Sequence, residues 1–248
     1  VRTAVTASRG RRAFRVLLLT IGVLAAAHLL FLAWFGTRLV GLRTHNPDVT
    51  SIMRSRGDRN PLDPGGFLPL AEIPPFVRDL VVLAEDSRFY LHHGIDFTSI
   101  RLALRVNAEK GRVVYGGSTI SQQLARSLFL WTGRSYVRKY LEMLIAVEEE
   151  ILLGKDRILE LYLDCAEWGP GIYGIQRAAR FYYGKDVPDL TRDQLIRLVT
   201  ILPSPRRAVP GSVDTDPLLA ARYQAIVEDS KRLENSPPVF SSTLEEVP

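Results

Sequence analysis

The chain has 248 residues, a formal net charge of +5 and a single cysteine, Cys165. That length suffices for one domain with a substantial core plus appendages, and a lone cysteine excludes an internal disulfide. The charge excess lies wholly in residues 1–15, where Arg2, Arg9, Arg11, Arg12 and Arg15 have no acid among them, so the neutral body argues against a nucleic-acid-binding surface.

Residues 16–35 follow this basic arm without a formal charge. Twenty residues at 1.5 Å each span about 30 Å, the thickness of a bilayer hydrocarbon core. A cleaved signal peptide and a buried core helix compete with a membrane span. The run is long for a signal segment, no small-x-small cleavage site follows before Arg38, and Trp34 stands at the far boundary where aromatic rings favour the interface. A retained transmembrane helix is therefore predicted, with residues 1–15 as a cytoplasmic arm and residues 36–248 on the other side. Residues 36–75 read as a linker or membrane-proximal segment, rich in turn formers such as Asn46-Pro47-Asp48 and Asp63-Pro64-Gly65-Gly66, with few apolar anchors.

From residue 76 to 208 the pattern predicts one helical domain. Val77, Leu80, Val81 and Ala84 recur at helical spacing, as do Val137, Tyr140, Leu141, Leu144 and Ile145, then Ile158, Leu159, Tyr162 and Leu163. Alternating strand-like stretches are almost absent, so the fold class is all-α. Residues 209–248, rich in Pro, Ser and Glu, read as an irregular or frayed tail.

Four polar clusters punctuate the helical region. Glu85 follows the apolar run 80–84, so burial would raise its pKa as a general base requires; the plainer alternative is an ion pair from Glu85 or Asp86 to Arg88. His92 and His93 read as helix-end residues rather than metal ligands, with no second ligand motif beside them. Gly116-Gly117 precedes Ser118, Thr119, Ser121, Gln122 and Gln123, a row of neutral groups for sugar or phosphate oxygens. The same row also reads as an ordinary capped helix start, with Ser118 or Thr119 as cap and Gln122 closing a capping box. Arg138 and Glu142 lie four apart and form either an intrahelical pair or, with Lys139 and Arg126, part of a cationic site for a departing diphosphate. Other matches fail on context. Gly169-x-Gly171-x-x-Gly174 follows a helix rather than a strand, Asp214-x-Asp216 lies in the tail, and no Ser-x-x-Lys occurs.

Together these clusters resemble the peptidoglycan glycosyltransferases, the lipid II polymerases also found as the first domain of bifunctional penicillin-binding proteins. The resemblance rests on Glu85-Asp86-x-x-Phe89-x-x-His92-x-Gly94, Gly116-Gly-Ser-Thr-Ile-Ser-Gln-Gln123, Arg138-Lys139-x-x-Glu142 and Lys155-x-x-Ile-Leu-Glu160-x-Tyr-Leu, over roughly residues 74–205. Ala166-Glu-Trp-Gly169 and the missing transpeptidase centre place it nearest the monofunctional, membrane-anchored branch.

The resemblance implies a lysozyme-like, all-α domain with a smaller membrane-proximal lobe. It implies a single-pass protein of the bacterial inner membrane with its catalytic domain on the periplasmic face. Its substrates would be lipid II and the growing lipid-linked glycan strand, with other cell-wall synthesis proteins as partners and no nucleic acid. Glu85 would be the general base and Glu142 the second family glutamate. Ser118, Thr119, Gln122, Gln123, Arg126, Arg138, Lys139 and Lys155 would bind substrate. No cofactor is required; a divalent cation, Mg or Mn, at the diphosphate is compatible with the family, its ligands unassigned.

Five positions depart from the family pattern: Arg126 for lysine, Asp164 for asparagine, Tyr183 for phenylalanine, and Arg197 and Thr200 where small apolar residues are usual. Asp164 is expected to add an anion near the cleft. Two rival readings are a glycan-cleaving hydrolase, in which the cations would be idle, and a catalytically silent scaffold of the cell-wall machinery.

Overall fold

Charge did not mark the end of the apolar helix. In the computed structural model, which describes residues 2–58, 62, 66–112, 114, 116–133 and 135–234, helix α1 runs unbroken over Arg2–Leu42. Its 29-residue stretch Phe14–Leu42 is long and apolar enough to cross a membrane, as a single-pass anchor requires. The helix passes residue 35 because Arg38 lays its guanidinium over the Trp34 ring at 4.2 Å, on the outer face, rather than ending the apolar stripe.

At about 43 Å this stretch exceeds a hydrocarbon core, and its C-terminal end is spent on the domain. Phe35 and Leu39 are buried. Phe35 meets Phe129 edge-on at 5.3 Å and packs with Ala125, Leu130 and Ile145. Arg157 then fastens the chain beyond the helix, donating to the carbonyls of Leu42 (2.8 Å) and His45 (3.0 Å) and to Asn46 Oδ1 (2.7 Å). Deleting residues 1–35 strips Phe31 and Phe35 from this cluster. It is expected to lower the melting temperature in detergent by about 5–10 °C, from roughly 2–3 kcal/mol of lost burial. A chain shortened only to residue 27 should melt with the full-length protein; equal melting of all three would show that the docking adds no stability.

The expected linker is also better anchored than its turn residues suggested. α2 (Ser51–Ser55) is capped by Thr50, and Ile52, Met53, Leu70 and Ile73 are buried in the core. These apolar residues are single and aperiodic, so no pattern announced them. Part of the segment, including Asp63, Pro64 and Gly65, lies outside the described residues.

The domain is all-α as read. α3 (Pro75–Glu85) starts on Pro75 at its first turn and stops where Asp86 leaves the helical region. α4 (Phe97–Lys110) is capped by Asp96. α5 (Ile120–Phe129) packs between α6 (Tyr136–Leu152) and α7 (Lys155–Cys165), making it the spine of the fold. A two-stranded antiparallel hairpin follows, β1 (Glu167–Gly169) and β2 (Ile172–Tyr173), holding the formal Gly-x-Gly-x-x-Gly. α8 (Ile175–Tyr183) and α9 (Arg192–Ile201) complete the core around Trp168, whose indole N–H donates to the Leu163 carbonyl at 3.2 Å. Gly94 permits one close approach that sets the site: with φ +86, a Cβ there would lie 2.7 Å from the Ala146 carbonyl oxygen of α6.

The end of the chain corrects the sequence reading. Residues 210–214 form a 3-10 turn, and Pro217–Glu234 form an 18-residue helix, α10, packed on α3 and α9. Asp216 caps it, accepting from the Leu218 N–H at 2.8 Å, and Ile226 is buried. The cue was present: an Asp-Pro helix start, then Leu219, Tyr223, Ile226, Val227 and Leu233 at helical spacing. The Pro- and Ser-rich composition that obscured it comes from residues 235–248, outside the described residues.

Candidate active site

Glu85 ends α3, its side chain only 9% exposed. Burial pushes its carboxyl above the ordinary range, opposed by the Arg222 charge and by a hydrogen bond from Gln123, while Asp86 adds to the rise. Arg222 Nη2 donates to Oε1 at 2.8 Å and Gln123 Nε2 donates to Oε2 at 3.3 Å. The Tyr162 hydroxyl donates to Gln123 Oε1 at 3.1 Å, which orients the amide so that its N–H faces Glu85. Burial, then the Glu85 charge, keep Tyr162 protonated for that purpose. The expected ion pair from Glu85 or Asp86 to Arg88 does not form. Arg88 pairs with Asp96, and Asp86 accepts from the Ile120 N–H (2.9 Å) and His92 Nε2 (3.0 Å). His92 is thus a buried tether rather than a metal ligand.

Glu142 is buried and gathers two cations from its own helix. Arg138 Nη1 donates to Oε1, and Lys139 Nζ donates to Oε2 at 3.2 Å. Lys139 also donates to Ser118 Oγ (2.9 Å) and Gln122 Oε1 (2.7 Å), drawing the 116–118 loop, α5 and α6 together. Burial holds the Lys139 ammonium below its usual pKa, with Glu142 working against that. The intrahelical pair and the cationic cluster therefore coexist. Thr119, not Ser118, caps α5, accepting from the Gln122 N–H at 3.1 Å and donating to the Gly94 carbonyl at 2.7 Å. Gln122 points its side chain at Lys139 instead of closing a capping box.

Two cavities border these residues, one at the N-terminal cap of α5 and one along the helix. The smaller, about 50 Å³, is lined by Glu85, Gly116, Gly117 and Ser118. The larger, about 290 Å³, is lined by Gln123, Arg126, Thr132 and Arg138, with Tyr162 and Pro203. Gln123 joins them, lining one and bonded to the carboxylate of the other. Arg126 makes no ion pair among the described residues and presents its charge to the larger cavity. A buried carboxyl able to take a proton lines the smaller cavity, and Arg126 and Arg138, cations able to hold an anionic leaving group, line the larger.

Two residues singled out in the sequence have their polar ends engaged by the fold. Lys155 pairs with Glu150 at 2.8 Å and covers the Phe89 ring at 4.2 Å, lining neither cavity. Thr119 lines the smaller cavity, but its hydroxyl is used in the α5 cap and on the Gly94 carbonyl. Asp164 also differs from expectation: burial pushes its carboxyl up to about 8, while Oδ1 accepts from the Leu68 N–H at 3.2 Å. At neutral pH it is mostly the neutral acid, so it adds no full anion near the cleft. Sequence reasoning missed Arg222, 137 residues from Glu85.

Among the described residues, no group of three or more His, Cys, Asp or Glu is placed to hold a metal ion. Glu142, the acid beside the cations, has both oxygens on Arg138 and Lys139.

The family model described as Transglycosylase matches residues 63–230. A biosynthetic peptidoglycan transglycosylase of Acinetobacter baumannii (strain ACICU) is 41% identical over 194 residues, covering 77% of this chain and 84% of the relative. That of Azoarcus sp. (strain BH72) is 46% identical over 193 residues, 75% and 84% of the two chains. That of Chromobacterium violaceum is 38% identical over 208 residues, 79% and 91% of the two chains.

Proposed function

The chain belongs to the transglycosylase family, and from that membership we propose that it polymerises lipid II with Glu85 as general base. The family gives the reaction class: a peptidoglycan glycosyltransferase of lysozyme-like fold, acting on lipid II and glycan at the membrane. The residue roles are our reading of the geometry.

Glu85 takes the proton from the 4-hydroxyl of the acceptor's GlcNAc as that oxygen attacks C1 of the donor's MurNAc. The C1–oxygen bond to the diphosphate breaks, undecaprenyl diphosphate leaves, and C1 inverts to a β-1,4 link. Negative charge builds on the leaving diphosphate. Arg126, Arg138 and Lys139 hold it, where low dielectric makes fixed cations most effective. Glu142 keeps Arg138 and Lys139 aimed, Ser118 and Gln122 hold the Lys139 ammonium, and Gln123 orients Glu85. Lys155 and Thr119 act at a remove, by fixing the walls. The helix α1 would anchor the protein in the bacterial inner membrane, with the domain on the periplasmic face.

One observation carries this reading: the buried Glu85 carboxyl is bonded to Gln123, which also lines the cavity shared by Arg126 and Arg138, with Lys139 held beside Arg138 on Glu142. A glycan hydrolase has no diphosphate to neutralise and would leave the cations idle. Asp86, the nearest second carboxylate in sequence, is committed to Ile120 and His92. The test is the full-length protein in detergent with labelled lipid II, expected to yield polymer that lysozyme digests. Shortening of preformed strands instead would establish the hydrolase reading, and neither activity would leave the scaffold.

A further inference from the structure

Arg197 stands on α9, and its contacts say what it does there. Its Nε donates to Asp193 at 2.8 Å, and its two terminal nitrogens donate to both oxygens of Asp214 at 2.8 and 2.9 Å. A further bond goes to the Pro210 carbonyl at 3.3 Å, and the guanidinium lies over the Tyr223 ring, 5.4 Å from its centroid. The Tyr223 hydroxyl completes the ring of contacts, donating to Asp193 at 2.6 Å. One cation therefore ties α9, the 3-10 turn and α10 together. Exposed ion pairs are individually weak, but a bidentate pair within a shared network fixes orientation.

The residue beside Tyr223 is Arg222, which reaches across to Glu85. Among the described residues it pairs with no other acid, and its Nε is buried without a partner. The groups facing Glu85 are Arg222 from α10, Gln123 from α5, Tyr162 from α7 and the adjacent Asp86. Only Arg222 among them brings an opposing charge. A buried carboxyl left without one holds its proton to higher pH.

We propose that α10 is a working arm of the cleft, latched by Arg197 through Asp193, Asp214 and Tyr223, so that Arg222 orients Glu85 and keeps it in the proton-accepting state. Arg222 and Arg197 are positioning residues. Their role rests on the assignment of Glu85 as base, and both act through it. The rise in the Glu85 carboxyl from burial is opposed first by Arg222, in keeping with this geometry. Removing Arg222 lets burial dominate, so a smaller fraction of Glu85 is ionised at any pH on the acid side.

The experiment is the pH dependence of kcat/KM for the full-length protein on lipid II. Arg222→Ala is expected to move the acidic limb upward by about one pH unit or more, and Arg222→Lys to move it less. Arg197→Ala should move it in the same direction by a smaller amount, because α10 keeps its apolar packing. A loss by one factor at every pH, with the limb in place, would overturn the proposal. Melting of the wild type, Arg222→Ala, Glu85→Gln and the double variant at neutral pH separates this from the reaction itself. If the wild type makes no polymer, coupling between the two substitutions still supports the latch while the transferase reading falls; additive effects overturn the latch.

Discussion

Replacing Glu85 with Gln is expected to cut polymerisation by about 10²–10⁴-fold, the span that a positioned general base contributes, while leaving the fold intact. Gln keeps the shape, and its one carbonyl oxygen can accept from Arg222 or from Gln123 but not from both; it cannot accept the proton from the attacking hydroxyl. The side chain is 9% exposed and burial already disfavours its charge, so neutralising it relieves desolvation while losing the Arg222 ion pair. These terms oppose each other, and the melting temperature should move little. Turnover of labelled lipid II and a melting curve on the same preparation check both halves. Substantial remaining polymer would remove Glu85 as the base, and unfolding would show that its ion pair with Arg222 is chiefly structural.

Lys139→Ala is expected to have the second-largest effect, about 10²–10³-fold in kcat/KM, by analogy with removal of one donor from a site of developing negative charge. Its three N–H donors reach Ser118, Gln122 and Glu142, and in the proposed reaction its charge also faces the departing diphosphate. The loss should fall more on use of the donor than of the acceptor, because Lys139 makes no bond to Glu85 or Gln123. A two-substrate titration decides this. Equal losses for donor and acceptor would mean that Lys139 maintains the wall made by the 116–118 loop and not the diphosphate site. Arg138 is the less clean probe. It is buried against Glu142 and the Gly133 carbonyl, and removing it leaves the buried Glu142 carboxylate with Lys139 alone.

The long apolar helix, the all-α class and the four clusters were legible because each rests on local order. An apolar run has a length, a helix has a 3.6-residue period, and a cluster within a few residues shares a helix face. Reading failed where a local rule met a tertiary one. Arg38 looked like the end of a helix, yet its stem lies along Trp34 and the helix continues. Leu39, Met53 and Ile73 were lost among turn formers because isolated apolar residues carry no period. The periodic residues of α10 were masked by the Pro and Ser of residues 235–248, which dominate the composition of that end of the chain.

The order of residues along the chain carries the chemical inventory: one glutamate after an apolar run, a hydroxyl and amide row, and paired cations beside a second glutamate. How the inventory is used is set by packing. Packing bonds Gln123 to Glu85, sends Lys139 across to Ser118, and brings Arg222 over 137 residues to the same carboxylate. It likewise turns Asp164 from an expected anion into a mostly neutral acid. Charge state and partner choice depend on desolvation and on neighbours in space. Those are fixed when α5, α6, α7 and α10 come together, and no spacing along the chain encodes them.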